Sequence, residues 1–191
     1  MVKMKKICVF CGSSIGNNEI YRLKTIELGK LLVKNNIDLV YGGGNIGLMG
    51  ELANSVLKEK GKVIGVTTKL IYERVPQIKL TEMYIVNNMH ERKSKMYEIS
   101  DAFIALPGGI GTIEELFEIF TWSQIGIHNK PIGLLNISNY YKHLIQFLDN
   151  ALYEGFIKKS HKESLIIKNN PDDLIKELYE YNVPTETKWN Y

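Results

Sequence analysis

The stretch that decides the fold runs from Ala102 to Thr112 and reads AFIALPGGIGT. Its first five residues are apolar, which is typical of a strand that is buried on both faces of a parallel sheet. Three glycines follow, and the segment Thr112–Ile127 then shows helical periodicity. A buried strand that passes through a glycine-rich turn into a helix is one βα unit of an α/β domain.

The same alternation of strand-like and helical segments extends in both directions from this unit. Apolar runs predict strands at Lys6–Phe10, Ile37–Tyr41, Lys62–Val66, Met83–Val86, Ala102–Leu106, Ile132–Leu135 and, as a last candidate, Ser164–Ile167. Helical periodicity occurs in Glu19–Asn35, Leu48–Lys60, Met89–Ile99, Thr112–Ile127, Tyr140–Tyr153 and Pro171–Tyr181. Strands separated by such helices predict a Rossmann-like, doubly wound parallel sheet. We expect one domain over residues 1–191, with a frayed tail after Pro184.

Length and composition agree with one globular domain and exclude several other classes. The chain has 191 residues, and about 100–200 residues make one domain. Lys and Arg total 24 and Asp and Glu 21, and this net charge of +3 argues against a nucleic-acid binder. No apolar stretch approaches the ~18 residues of a membrane span, and no signal-peptide core is present. We therefore expect a cytoplasmic protein that binds neither nucleic acid nor membrane, with Cys8 and Cys11 reduced and no metal site.

Glycine-rich turns follow three of the predicted strands, at the edge where open α/β sheets bind ligands. The turns are Cys11–Ser14, Gly42–Gly47 and Pro107–Thr112. Glycine lets the backbone approach a ligand closely, and a helix that begins there offers free N–H groups and a positive dipole end to an anion. The sequence therefore predicts a phosphate or nucleotide site. Its candidate binding residues are Ser14, Gly43, Gly44, Gly108, Gly109, Gly111 and Thr112.

The glycine pattern favours a mononucleotide or a sugar phosphate over NAD or ATP. Gly42, Gly44 and Gly47 match the dinucleotide pattern G-x-G-x-x-G, but the match follows the second strand. The acidic residue expected ~20 positions further on, which binds the ribose of NAD, is missing. The sequence also lacks the G-x-x-x-x-G-K-[ST] pattern of P-loop nucleotidases.

Two charged residues lie where the helical period predicts burial. Arg92 falls on the apolar face of the segment Met89–Ile99. A buried Arg needs a carboxylate or phosphate partner, but a snorkelling Arg whose stem covers apolar surface fits the same pattern. Glu115 shares a face with Ile119, whereas Glu114 lies on a polar face. A Glu near the start of a helix can also simply complement the helix dipole, so both interpretations stay open for each residue.

Four stretches of the sequence together carry a family pattern. They are Cys8–Ser14, Tyr41–Gly50, Met89–Lys93 with the pattern M-x-x-R-K, and Pro107–Glu115 with the pattern P-G-G-x-G-T-x-x-E. In these motifs, and over most of its length from about residue 6 to residue 181, the chain resembles the LONELY GUY (LOG) family of cytokinin riboside 5′-monophosphate phosphoribohydrolases. Members of that family are often labelled lysine decarboxylases.

The resemblance implies a Rossmann-like fold, usually in a homodimer, with no metal or organic cofactor. It implies hydrolysis of the N-glycosidic bond in AMP or in N6-prenylated adenine (cytokinin) 5′-monophosphates, with release of the free base and ribose 5-phosphate. It assigns Arg92 and Glu115 as the catalytic pair and Lys93 and Gly108–Thr112 as nucleotide-binding residues. The family's carboxylate in the long loop corresponds to Glu73, which would also bind substrate.

Other functions remain compatible with the glycine turns. A non-catalytic module that binds or senses a mononucleotide would share every feature of the turns. A nucleotide-sugar or NAD-dependent enzyme would share them too, although the missing ribose-binding acid argues against NAD. A lysine decarboxylase that uses pyridoxal phosphate is rejected, because the chain is short for the usual folds of such enzymes. For the hydrolase, Glu73 and a water molecule are both candidate acids for protonating the leaving base.

Overall fold

Seven parallel strands form the centre of the computed structural model, which describes residues 4–182. The strands are β1 (Lys6–Phe10), β2 (Asp38–Tyr41), β3 (Val63–Thr68), β4 (Glu82–Val86), β5 (Ala102–Ala105), β6 (Ile132–Leu135) and β7 (Leu165–Lys168). Their order in the sheet is β4-β3-β2-β1-β5-β6-β7, and each neighbouring pair is parallel. The predicted Rossmann-like, doubly wound α/β fold is confirmed. The predicted frayed tail after Pro184 lies outside the described residues.

Helices connect these strands and cover both faces of the sheet. They are α1 (Glu19–Lys34), α2 (Gly47–Lys58), α3 (Lys69–Tyr72), α4 (Met89–Ile99), α5 (Ile110–Gln124), α6 (Lys142–Tyr153), α7 (Lys159–Glu163) and α8 (Pro171–Glu180). None of the helices in residues 4–182 is long and apolar enough to cross a membrane.

Each face of the sheet packs in its own hydrophobic cluster. On β1, Ile7 and Val9 pack with residues of α1, α2 and α8, whereas Cys8 and Phe10 pack with residues of α4, α5 and α6. Successive side chains of a strand point to opposite faces, so a strand that is covered on both faces needs an unbroken apolar run. Cys8 and Cys11 are buried and form no disulfide.

The strand order places three glycine turns at one point. The order reverses at β1, which has β2 on one side and β5 on the other. In open α/β sheets, ligands bind in the crevice at such a reversal, beyond the carboxyl ends of the strands. The turns after β1, β2 and β5 are the three glycine turns of the sequence. The fold therefore forms the site from segments that are far apart in the chain.

The structure differs from the sequence prediction mainly between the long elements. The predicted loop over residues 67–81 contains α3, whose first turn is capped because the Thr68 hydroxyl accepts the Ile71 N–H at 3.4 Å. The helix predicted from Tyr140 begins only at Lys142, after a 3₁₀ turn at Ile137–Asn139. Helix α7 was not predicted. These short segments lack the several helical turns that hydrophobic periodicity needs.

Candidate active site

A cavity of about 480 Å³ opens at the carboxyl ends of β1, β2 and β5. Its walls come from the three glycine turns, the segment around α3 and the first turns of α4 and α5. The volume lies within the usual range for small-molecule sites. Among residues 4–182, no group of three or more His, Cys, Asp and Glu side chains is arranged to hold a metal ion.

The first turn of α5 gives this cavity an anion-accepting wall. Gly109 is the N-cap, so no side chain caps the helix, and its first turn contains no acidic residue. The Ile113 N–H donates to the Gly109 carbonyl at 3.2 Å, whereas the N–H groups of Ile110, Gly111 and Thr112 precede the first intrahelical bond. These three residues line the cavity. Free N–H groups and the positive end of the helix dipole together favour a bound anion.

Three of the other long helices begin differently from α5, whereas α2 and α6 also lack a side-chain cap. At the start of α1, α4 and α8 an Asn side chain caps the helix, because its Oδ1 accepts a backbone N–H of the first turn. Such capping is the usual way to satisfy the first N–H groups. Helix α5 has glycine at that position, which leaves its N–H groups available to a ligand.

The glycine turns interlock closely around the cavity. A Cβ atom on Gly108 would lie 2.1 Å from the Thr112 Oγ1, so the turn after β5 tolerates no side chain there. The Gly12 N–H donates to the Pro107 carbonyl at 3.0 Å, which joins the turns after β1 and β5. Gly47 has a φ of +55°, in the left-handed region that favours glycine. A Cβ on Gly47 would lie 2.2 Å from the Ser13 carbonyl carbon, so the turn after β2 packs directly on the turn after β1. The three turns therefore form one connected surface.

Arg92 and Glu115 form a buried ion pair inside the cavity. The Arg92 Nη1 lies 2.6 Å from the Glu115 Oε1, and the two side chains are 8% and 14% exposed. The Arg92 Nε also donates to the Val66 carbonyl at 3.0 Å. A Cβ on Gly42 would lie 2.4 Å from Nη2, so the guanidinium packs directly on that glycine. Arg92 therefore does not snorkel, and Glu115 is more than a complement to the helix dipole.

The environment of Glu115 changes its acidity. Burial raises the pKa of the Glu115 carboxyl above its ordinary value of 4.5, because desolvation disfavours the charged form. The charge and the hydrogen bond of Arg92 oppose this effect and lower the pKa. Arg92 thus helps to keep Glu115 ionised in a place that would otherwise favour the neutral acid. Perturbed acidity of this kind is common in active sites.

Two predicted binding residues hold their charged groups outside the cavity. The Lys93 Nζ lies 2.5 Å from Glu114 and 2.9 Å from Glu118, both on α5. Lys93 therefore joins α4 to α5 through two carboxylates, and its role in binding the nucleotide stays a prediction. Glu73 follows α3 with its side chain 60% exposed, 3.9 Å from Lys69. Neither Lys93 nor Glu73 lines the cavity.

Some of the predicted binding residues line the cavity, and others lie beside it. Ser13 and Gly42 line the cavity, whereas Ser14 and Gly43 do not. Gly43 has a φ of +83° and packs against the Thr67 side chain, so it serves the turn itself. Gly44, Gly109, Gly111 and Thr112, which the sequence analysis also selected as binding residues, lie in the cavity wall. Gly108 does not line the cavity but packs against the Thr112 side chain, which does.

The sequence reasoning also missed an apolar wall. Six apolar side chains line the cavity, and they are Ile46, Met49, Ile71, Val75, Met89 and Ile110. They come from four different segments of the chain, so no single sequence pattern groups them. A flat, largely apolar ring such as a purine fits a wall of this kind.

Fold and site together define a Rossmann-like α/β protein with a cavity at the reversal of strand order. This cavity contains both the uncapped start of a helix, which can accept an anion, and a buried Arg–Glu ion pair. A family model described as "Possible lysine decarboxylase" matches residues 49–178. The chain is 49% identical over 187 residues to cytokinin riboside 5′-monophosphate phosphoribohydrolase LOG1 of Arabidopsis thaliana, a match that covers 97% of this chain and 87% of that protein. This protein belongs to the LOG family.

A second relative supports this assignment, and a solved structure shares the fold. The chain is 47% identical over 193 residues to the probable cytokinin riboside 5′-monophosphate phosphoribohydrolase LOGL2 of Oryza sativa subsp. japonica, covering 98% of this chain and 79% of that protein. The structure of a molybdenum cofactor binding protein from Rippkaea orientalis superposes with a TM-score of 0.70 at 20% identity, covering 94% and 98% of the two chains. At that identity the likeness shows the shared fold alone.

Proposed function

We propose that this protein hydrolyses the N-glycosidic bond of adenine nucleoside 5′-monophosphates, either AMP or N6-prenylated cytokinin forms. The products are the free base and ribose 5-phosphate. The observation that carries the proposal is the buried Arg92–Glu115 pair in the same cavity as the uncapped start of α5. The names of the relatives, which are cytokinin riboside 5′-monophosphate phosphoribohydrolases, support the substrate class.

The 5′-phosphate binds at the first turn of α5. It accepts hydrogen bonds from the N–H groups of Ile110, Gly111 and Thr112, and the Thr112 hydroxyl is a further donor. Thr112 is 5% exposed and lies in the cavity wall. The helix dipole adds to the attraction without any lysine at the site. This arrangement favours a substrate that carries a phosphate over the free nucleoside.

The reaction breaks the bond between the ribose C1′ and the base nitrogen. The bonding electron pair leaves with the base, and positive charge develops on the ribose ring. The Glu115 carboxylate stabilises that charge and accepts a hydrogen bond from the attacking water, as carboxylates do in related glycosidases. Water adds a hydroxyl to C1′, and its proton ends on the released base. Arg92 orients Glu115 through the 2.6 Å hydrogen bond and keeps it ionised.

A decarboxylase that depends on pyridoxal phosphate fits this site poorly. Such enzymes bind the cofactor as a Schiff base on a lysine. No lysine is found among the described residues that line the cavity. The neighbouring Lys93 is held by Glu114 and Glu118, and these contacts raise its pKa. The description of the family model therefore gives a weaker guide to the chemistry than the site does.

A substrate panel tests the proposed function. Wild-type protein is incubated with AMP, with N6-isopentenyl AMP and with adenosine, and the released bases are separated by chromatography. We expect base release from at least one of the two monophosphates and much slower release from adenosine, because adenosine lacks the phosphate. Binding of AMP in calorimetry without any base release would instead identify a non-catalytic binding module.

The pH dependence of the reaction should reflect the environment of Glu115. Catalysis needs the ionised carboxylate, and burial raises the pKa of Glu115 above 4.5. The value of kcat/KM should therefore fall, as the pH decreases, through a pKa above 4.5 in the free enzyme. A pH profile of kcat/KM for AMP measures this decrease on the acidic side. A profile that stays flat down to pH 4.5 would contradict the role of Glu115.

We further propose that two copies of the chain form a homodimer that covers the cavity. Ile110 is 91% exposed and Met89 is 42% exposed, although both line the cavity. Exposed apolar side chains that lie together at a binding site mark a surface that a ligand or a partner covers. Sedimentation analysis should give a dimer for the wild type and a monomer for Ile110→Glu. Phe156→Glu is the control, since Phe156 is 84% exposed and lies outside the cavity, and it should remain dimeric.

A further inference from the structure

The hydroxyl groups of two consecutive tyrosines, Tyr140 and Tyr141, donate hydrogen bonds to the turn between β5 and α5. The Tyr141 hydroxyl donates to the Leu106 carbonyl at 2.5 Å, and the Tyr140 hydroxyl donates to the Gly108 carbonyl at 2.6 Å. These carbonyls lie on either side of Pro107, whose own carbonyl accepts the N–H of the turn after β1. Three successive carbonyls of the glycine turn therefore have fixed donors.

A strained backbone segment presents the two tyrosines. Ser138 and Asn139 have φ values of +49° and +60°, in the left-handed region that residues other than glycine rarely adopt. The buried Asn136 maintains this conformation, because its Oδ1 accepts the Tyr141 N–H at 2.8 Å. Backbone strain that the surroundings maintain is common near functional sites. Here the strained segment ends in the two hydroxyl groups that contact the glycine turn.

The orientation of the Gly108–Gly109 peptide is critical for an anion site. A trans peptide is planar, so the Gly109 N–H points away from the Gly108 carbonyl. Two adjacent glycines let such a peptide rotate more readily than any other pair of residues. If this peptide rotated by about 180°, the Gly108 carbonyl oxygen would point in the direction that the Gly109 N–H takes now, and it would repel a phosphate. A donor that fixes the carbonyl therefore protects the anion site.

Tyr140 is well placed to be that donor. A second cavity, of about 250 Å³, lies against Gly108, Gly109 and Tyr140, so open space adjoins this side of the turn. The Tyr140 ring is 43% exposed, and it is held by edge contacts with Tyr21 at 5.7 Å and Tyr141 at 4.8 Å between ring centroids. These contacts direct its hydroxyl to the Gly108 carbonyl.

We propose that Tyr140 is a positioning residue for the phosphate subsite. Its hydroxyl fixes the Gly108–Gly109 peptide so that the Gly109 N–H faces the phosphate bound at the first turn of α5. The inference rests on the proposed function, since the anion is the 5′-phosphate of the substrate. Tyr141 is 2% exposed and supports the same turn from within the core, so Tyr140 allows the cleaner test.

The test compares Tyr140→Phe with Tyr153→Phe. Both variants lose one tyrosine hydroxyl, but Tyr153 is 86% exposed and lines neither cavity. Calorimetry with ribose 5-phosphate should show roughly tenfold weaker binding for Tyr140→Phe, the effect of one lost hydrogen bond. The KM for AMP should rise by a similar factor while kcat changes by less than about twofold, because binding is lost equally in ground and transition states. Tyr153→Phe should match the wild type in both assays.

Two results would overturn the inference. One is unchanged affinity for ribose 5-phosphate together with an unchanged KM. The other is a lower kcat at unchanged KM with a lower melting temperature, which would give Tyr140 a merely structural role. If the wild type binds ribose 5-phosphate but releases no base from any nucleotide, the proposed reaction fails while the calorimetric comparison still tests Tyr140.

Discussion

Replacement of Glu115 by Gln is expected to lower kcat for AMP by at least about a thousandfold, since both charge stabilisation and assistance to water are lost. Gln has the same shape, and its side-chain oxygen can still accept the hydrogen bond from the Arg92 Nη1. It carries no negative charge, so it cannot stabilise the positive charge on the ribose. The affinity for AMP should change little, because the phosphate binds to the backbone of α5. Steady-state kinetics and calorimetry measure the two effects separately.

Glu114→Gln is the matched control for this variant. Glu114 is the adjacent residue, but its side chain is 50% exposed and pairs with Lys93 on the outer side of the helix. Lys93 keeps its second partner, Glu118, when Glu114 is replaced, so kcat should stay close to the wild-type value. Release of adenine by Glu115→Gln at a rate near that of the wild type would remove Glu115 from the mechanism.

Arg92→Ala should lose both activity and stability. The change leaves the buried Glu115 without its counter-charge, and breaking one side of a buried ion pair costs about 3–5 kcal/mol. Because Arg92 lowers the pKa of Glu115, its removal should raise that pKa further and leave more of the carboxyl protonated at neutral pH. Thermal unfolding and kcat measure the two losses. Arg92→Lys keeps the charge but not the fork-shaped set of donors, so it should recover stability better than turnover.

Gly42→Ala tests the position of Arg92 without removing its charge. A Cβ at this residue would lie 2.4 Å from the Arg92 Nη2, so the guanidinium must move. We expect a lower kcat in a protein that still folds and still binds phosphate. Wild-type turnover in both Gly42→Ala and Arg92→Ala would show that the ion pair has no part in catalysis.

The fold could be predicted from the sequence because the patterns that indicate strands, helices and turns are local. Apolar runs and helical periods predict the parallel sheet, and the glycine turns mark the strand ends that meet at the reversal of strand order. The residues Gly109–Thr112 of the third glycine turn lie in the cavity wall. Such signals need no knowledge of which side chains meet across the molecule.

The details of the site depend on contacts that periodicity does not encode. The apolar face that carries Arg92 fits burial or snorkelling equally well, and only the 2.6 Å contact with Glu115 decides between them. Lys93 is adjacent to Arg92 in sequence, yet the helical rotation of about 100° per residue turns it towards Glu114 and Glu118. Likewise, the sequence does not show which of three consecutive glycines faces the cavity, because that depends on the φ of each residue.

The central claim is that this protein cleaves the bond between base and ribose, and a product balance tests it most directly. AMP is incubated with the wild type and with Glu115→Gln, and all products are quantified. The account predicts adenine and ribose 5-phosphate in equal amounts from the wild type and almost none from the variant. Adenosine with inorganic phosphate, or a deaminated nucleotide with ammonia, would contradict the claim, as would full product release by Glu115→Gln.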